Sequence, residues 1–174
     1  KTNVIYDKDG EYHYDIISAF IKSIRGSDPN AAVYWLARLI QGGETAKFIA
    51  RRLIILASED IGNANPTALV IANNTFQSVI NIGFPEARII LSQCVIYLAS
   101  SEKSNSSYLA IIKAQKLVED TGNLKVPLSL RNSPTKMMKD MGYGKDYKYS
   151  HDFNNNFVEQ EFLPDEIVET KLYE

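Results

Sequence analysis

Apolar side chains recur at helical spacing from residue 11 to residue 122, which predicts a series of helices joined by short loops. Glycines end the apolar runs, and a capping residue precedes proline at Asp28-Pro29 and at Asn65-Pro66, a typical helix start. The predicted helices are 11–25, 29–41, 44–58 and 66–82, a fifth that opens at Pro85, and a sixth that Ser104 or Ser106 caps and Gly122 ends.

Several of these helices are apolar almost all round. Residues 31–40 carry one charge in ten positions, and residues 87–99 carry only Arg88. Such a helix is buried on most of its sides. A chain of 174 residues fits one domain, with room for an appendage, and has few places to bury several such helices. The pattern therefore predicts that helices two to five bury apolar faces against neighbouring subunits.

The regular pattern stops after Gly122. One short helix is predicted from Pro134 to Met141, and the alternating residues from Tyr143 to Tyr149 are compatible with a strand or with an ordered loop. We therefore expect an all-α chain in three parts: a tether at 1–10, a helical oligomerisation core at 11–122, and an irregular, short-helix extension at 123–174 that packs on the core.

The charge is small overall but uneven. The net charge is −2, which argues against a chain that attracts nucleic acid over its whole surface. Residues 125–149 contain six Lys or Arg and two Asp, whereas residues 152–174 contain seven acids and one Lys. This arrangement is compatible with self-association or with nucleic acid approaching one side only.

Motifs for nucleotide, metal or nucleophilic chemistry are missing from the sequence. It has no phosphate-binding loop, no dinucleotide fingerprint and no nucleophile turn. His13, His151 and the lone Cys94 do not form a zinc site at known spacings, and Cys94 is best interpreted as a small buried hydrophobe. We expect no catalytic, cofactor or metal residue in this chain, and no membrane segment, secretion signal or disulfide. The start at Lys1 is compatible with a fragment.

Glu59-Asp60 is the best carboxylate pair in the chain. It falls at the end of the third predicted helix, where the helix dipole disfavours negative charge, so a cation is expected beside it. The candidates are Arg51, Arg52 and Arg88. Structural ion pairs are favoured over acid–base catalysis, because neighbouring helix positions point about 100° apart. Contact of Arg51-Arg52 with a phosphate on another subunit is the less favoured alternative.

Basic and aromatic residues alternate near the end of the short predicted helix. A surface of this kind can stack bases while it neutralises phosphates. Packing of the tyrosines on a helical core is the favoured alternative. The candidate DNA contacts are Lys136, Lys139, Lys145, Tyr147 and Lys148.

Nine stretches arrive in an order that resembles one family, the C-terminal region of RarA/MgsA-type AAA+ ATPases, which are replication-associated recombination proteins. They are SAFIKSIRGSDP (18–29), YWLAR (34–38), IARRL (49–53), ASEDIG (57–62), GFPEAR (83–88), KSNSSY (103–108), VPLSLRNSPTK (126–136), YGKDYKY (143–149) and LPDE (163–166). The resemblance covers residues 6–167. At 45–47, Thr-Ala-Lys departs from the Asp-Pro of the family pattern, which affects only a helix start.

The resemblance implies a helical domain like a clamp-loader collar that holds the parent protein as a homotetramer. It implies a parent with a separate ATPase module, which would hold ATP and Mg²⁺ and act on DNA at stalled replication forks. This chain would then be no enzyme and would need no cofactor. The expected location is the cytoplasm, associated with the nucleoid. The resemblance also allows a single-strand-binding protein as a partner, and a role for this chain in binding single-stranded DNA is the alternative function.

Overall fold

The computed structural model describes residues 11–174, with side chains from Tyr12 onward, so the predicted tether at 1–10 lies outside the described residues. The helices are α1 (Glu11–Arg25), α2 (Pro29–Gln41), α3 (Ala46–Leu56), α4 (Thr67–Ile82), α5 (Ala87–Ser100), α6 (Ser106–Thr121) and α7 (Lys136–Asp140). A π turn, Ala57–Ile61, and a 3-10 turn, Gly62–Ala64, join α3 to α4. Residues 11–174 contain no strand, so the all-α prediction is confirmed.

The chain divides into two compact units, and the division falls within α6. A helical unit extends to Ile111 and includes Tyr173, and a C-terminal unit covers 112–172 with Glu174. The predicted functional boundary after residue 122 lies eleven residues later and stays a prediction.

The core of the helical unit surrounds α5. This helix contacts α1, α2, α3 and α4, and its fully buried residues fall within an arc of about 140° on one face. They are Ala87, Leu91, Cys94, Val95, Leu98 and Ala99. Much of the apolar surface of α5 is therefore buried within the same chain, although Ile89 and Ile96 remain 61% and 44% exposed.

Helix starts show where local capping rules hold and where they fail. Asp28 caps α2 by accepting from the backbone N–H of Ala31, as predicted, and Thr45 caps α3 through Phe48. The predicted Asn65 cap is wrong. Its side chain donates to the Tyr97 hydroxyl at 2.7 Å, so α4 starts at Thr67 without a side-chain cap.

Two further boundaries differ from prediction. Pro85 lies in the turn before α5, and the helix begins at Ala87. The third helix begins at Ala46 and gives way to the π turn after Leu56, although the apolar period continues. Apolar spacing alone does not distinguish an α-helical turn from a π turn.

The C-terminal unit is built from turns around the short helix α7. Thr135 caps α7 by accepting from the N–H of Met138, which confirms the predicted short helix. Residues 143–149 form turns and extended chain, not a strand. Gly144 lies at φ +77°, and its N–H donates to the Leu128 carbonyl at 2.8 Å. A left-handed residue here favours an ordered loop, one of the two predicted alternatives.

Candidate functional site

The carboxylates of Glu59 and Asp60 are the candidate site nearest to chemistry, and the structure pairs both with Arg25. The Arg25 Nε donates to Asp60 Oδ1 at 2.9 Å, and Nη2 lies 3.9 Å from Glu59 Oε2. Asp60 is 7% exposed, whereas the Arg25 side chain is 46% exposed. The hydrogen bond to Asp60, more than the partial burial that opposes it, raises the pKa of Arg25.

The backbone of the π turn places the Asp60 carboxylate within hydrogen-bond distance of Arg25. In the π turn the N–H of Gly62 donates to the Ala57 carbonyl, five residues earlier. Gly62 has φ +52°, and a Cβ there would lie 3.0 Å from the carbonyl oxygen of Ser104. The Asp60 carbonyl accepts from the Ser104 N–H at 2.9 Å. The π turn is thereby fixed against the segment that follows α5.

Lys103 completes the cluster on the other side. Its Nζ donates to Ser27 Oγ at 3.0 Å and to the Ala99 carbonyl at 3.2 Å. Burial lowers the pKa of Lys103, and the charge of Asp60 partly offsets that effect. The cluster therefore connects the α1–α2 corner, the end of α3 and the end of α5. Its contacts are those of a structural ion pair: a guanidinium faces two carboxylates, and an ammonium donates to a hydroxyl and to a backbone carbonyl.

The arginines expected beside Glu59 and Asp60 lie elsewhere. Arg51 is exposed on α3, and Arg52 is half-buried with its Nε lacking a hydrogen-bond partner among the described residues. Arg88 is exposed and donates from Nη1 to the Pro85 carbonyl at 2.8 Å. The π turn presents Asp60 to α1 instead, so the partner is corrected to Arg25. Sequence spacing carries no signal for a pair 35 residues apart.

The candidate DNA contacts all lie on the surface of the C-terminal unit. Lys136 and Lys139 are exposed on α7, and Lys145, Tyr147 and Lys148 are exposed in the loop after it. The backbone of Lys148 forms two hydrogen bonds with the side chain of Gln160. Gln160 Oε1 accepts from the Lys148 N–H at 3.3 Å, and Gln160 Nε2 donates to the Lys148 carbonyl at 2.7 Å. Lys148 Nζ also donates to the Glu159 carbonyl at 3.4 Å. Lys148 therefore lies beside Glu159 and Gln160.

Apolar surface remains open on the helical unit. A groove of about 430 Å³ between α2 and α5 is lined by Val33, Leu36, Ala37, Ile40, Gln41, Arg88, Ile89 and Ser92. A second, of about 510 Å³, is lined by Ile54, Ile55, Ser58, Glu59, Ser107, Tyr108 and Ile111. On α4, Leu69, Val70, Ile80 and Ile82 are 43–58% exposed. Surfaces of this kind are typical of protein–protein contacts.

The described residues offer little support for other kinds of site. No group of three or more His, Cys, Asp or Glu among residues 11–174 is arranged to hold a metal ion. Within the same residues, no helix is both long and apolar enough to cross a membrane. Cys94 is buried, as its apolar neighbours predict, and burial raises the pKa of its thiol.

Comparison with known proteins identifies the family. The family model for the C terminus of the MgsA AAA+ ATPase matches residues 26–174, and the model for the AAA C-terminal domain matches residues 1–25. Proteins named Replication-associated recombination protein A are 46% identical in Coxiella burnetii, over 97% of this chain, and 47% identical in Bacillus subtilis, over 99%. The ATPase WRNIP1 of Dictyostelium discoideum is 44% identical over the whole chain.

The match covers only a part of each relative. This chain spans 38% of the Coxiella protein, 41% of the Bacillus protein and 20% of the Dictyostelium protein. The family model covers most of this chain, and the family that it describes is the one that the sequence resembles. The chain belongs to the family of C-terminal regions of MgsA-type AAA+ ATPases.

Proposed function

We propose that this chain is the oligomerisation domain of a replication-associated AAA+ ATPase and holds the parent protein as a homotetramer. The observation that carries the proposal is the open apolar surface of the helical unit, above all the exposed side chains of α4 and α5. Burial of such surface contributes roughly 25 cal/mol per Å², so an interface of a few thousand Å² would keep subunits together at cellular concentration. Closed symmetry is the usual form of such an assembly.

The assembly would act by bringing several ATPase modules together on DNA. Joining modules raises their local concentration, and binding at one then favours binding at the next. ATP and Mg²⁺ are assigned to the part of the parent outside this chain, and this chain alone should not hydrolyse ATP. The names of the relatives support a role in replication-associated recombination. For this chain we propose a location in the cytoplasm, associated with the nucleoid.

Light scattering on the purified chain tests the proposal. A tetramer that persists on dilution to micromolar protein is expected, and a monomer there would contradict it. Leu69 and Ile80 are three helical turns apart on one side of α4 and are 43% and 51% exposed. Leu69→Glu with Ile80→Glu should dissociate the tetramer. Asn81→Glu, which adds one negative charge at an exposed position about 100° away from Ile80 on α4, should leave it intact.

Binding of single-stranded DNA is the second candidate function. Exposure of Lys136, Lys139, Lys145 and Tyr147 on one unit favours it, and neutralised phosphates would make the affinity fall as salt rises. Fluorescence anisotropy with a labelled oligothymidine at low salt measures it. Lys145→Ala with Lys148→Ala should weaken binding, and an absence of binding by the unmodified chain at low salt would remove this candidate.

A further inference from the structure

The C-terminal unit is internally ordered but has no buried core. Its loops are joined by specific hydrogen bonds, among them Gly144 N–H to the Leu128 carbonyl at 2.8 Å and the Lys148–Gln160 pair. Yet none of residues 112–172 is fully buried, whereas the helical unit buries more than twenty. Ordering each residue costs about 1–2 kcal/mol of backbone entropy, which folding normally offsets by burying apolar surface. The missing burial indicates that a further surface covers this unit.

The exposed apolar side chains of this unit are large enough to form an interface. Nine of those within residues 125–169 are 41–71% exposed: Val126, Leu128, Met137, Met141, Tyr147, Tyr149, Phe153, Phe157 and Phe162. If one large side chain presents about 200 Å², together they expose on the order of 1,000 Å². A stable interface takes about 800 Å² from each partner. The unit therefore carries roughly the apolar area that one side of such an interface needs.

The charges of the same region form no ion pairs with one another among the described residues, although Lys148 and Arg131 donate to uncharged groups. The basic segment, residues 125–149, contains six Lys or Arg, and the acidic segment, residues 152–169, contains six Asp or Glu and no Lys or Arg. Among residues 11–174, none of these twelve side chains forms an ion pair within 4.0 Å. Both signs are thus available, side by side, to an outside surface.

We propose that the C-terminal arms of two copies of this chain, residues 125–169, pair with each other, the basic segment of one against the acidic segment of the other. A twofold contact needs a surface that complements itself. An arm that carries one basic and one acidic segment meets that requirement when two copies lie antiparallel. The exposed aromatic side chains fill the contact between the charged segments. The inference rests on the proposed assembly and names the surface that forms one of its interfaces.

The acidic segment is the reason for choosing a second copy over nucleic acid. Phosphates would be attracted to the basic segment but repelled by six carboxylates that follow it closely in the same unit. A second copy satisfies both segments at once.

Charge reversal in the full chain tests the pairing. The basic variant carries Lys136→Glu and Lys139→Glu, and the acidic variant carries Asp165→Lys and Glu166→Lys; all four positions are exposed. Each variant alone should raise the dissociation constant of the assembly at least about tenfold by light scattering, because like charges then face each other. Lys22→Glu with Lys47→Glu, at exposed lysines of the helical unit, is the matched control and should change nothing.

Mixing the two variants separates pairing between chains from pairing within one. Equal amounts of the basic and acidic variants should form a mixed assembly of the original size, since every contact between unlike copies again joins opposite charges. Circular dichroism confirms that each variant is folded before it is mixed. Variants that assemble like the unmodified chain, or a mixture that does not recombine, would overturn the inference and leave the helical interface standing.

Two other outcomes also decide the matter. An unmodified chain that is monomeric at micromolar concentration would overturn both this inference and the proposed tetramer. A basic variant that assembles normally but no longer binds a labelled oligothymidine would assign the basic segment to nucleic acid, which overturns the pairing alone.

Discussion

The pair between Arg25 and Asp60 makes an asymmetric prediction about stability. Arg25→Ala leaves a carboxylate that is 7% exposed without its cation, and Asp60 Oδ2 already lacks a partner among the described residues. Removing one member of a fully buried pair costs about 3–5 kcal/mol. Because the Arg25 side chain is 46% exposed, water screens part of that interaction, and we expect about 2 kcal/mol.

The reverse substitution should cost less. Asp60→Ala leaves Arg25 without this partner, but the Arg25 side chain is 46% exposed and water can solvate it. The substitution also removes a carboxylate of which one oxygen, Oδ2, has no hydrogen-bond partner among the described residues. We expect about 1 kcal/mol, the usual net contribution of one hydrogen bond. The double variant should then be more stable than Arg25→Ala alone, because the buried Asp60 carboxylate is gone, while Glu59, which is 20% exposed, loses its longer contact with Arg25 in both variants.

Urea unfolding followed by the fluorescence of Trp35, the one tryptophan of the chain, measures these free energies. Protein concentration is held constant, since an assembly gains stability from concentration. Arg88→Ala is the control, because that exposed side chain bonds only a neighbouring carbonyl; less than about 0.5 kcal/mol is expected. A double variant less stable than Arg25→Ala would refute the reasoning.

Three further predictions concern single positions. Asp28→Ala should cost about 1 kcal/mol in urea unfolding by removing the cap on Ala31, and Asp28→Ser should restore most of it. Gly62→Ala should cost about 2 kcal/mol or more in the same assay, because φ is +52° and the new Cβ meets the Ser104 carbonyl at 3.0 Å, whereas Gly43→Ala, at positive φ in open space, should cost less. Burial raises the pKa of Cys94, so the unfolded chain loses this proton first; the free energy of unfolding should fall as pH rises through about 9, and Cys94→Ala should remove that fall.

Local rules account for most of the helical unit. The runs that end at Gly26, Gly42 and Gly122 have the bounds that apolar spacing and glycine predict, because those signals act within one helical turn. Asn65 fails as a cap because Tyr97, 32 residues later, competes for its side chain. Local sequence does not contain that information.

Candidate sites were less accessible to prediction than helices. Residue type identifies the two carboxylates, but Arg25 is not among the candidate cations, because only tertiary packing turns it toward Asp60. The apolar residues of α5 predict burial against neighbouring subunits, yet other helices of the same chain bury much of its apolar surface. The hydrophobic pattern of a sequence indicates that a helix face is buried, but it does not indicate whether the same chain or another subunit buries it.

The π turn also limits the changes in chain length that this protein tolerates. A ring closed between Ala57 and Gly62 accommodates one residue more than an α-helical ring. Loss of a single residue such as Ser58 would close this ring as an ordinary α-helical ring, and every residue after it would move one position along the helix. Asp60 would then swing away from α1, and the junction with Ser104 would break. Insertions and deletions should therefore be rarer here than in the exposed loops on either side.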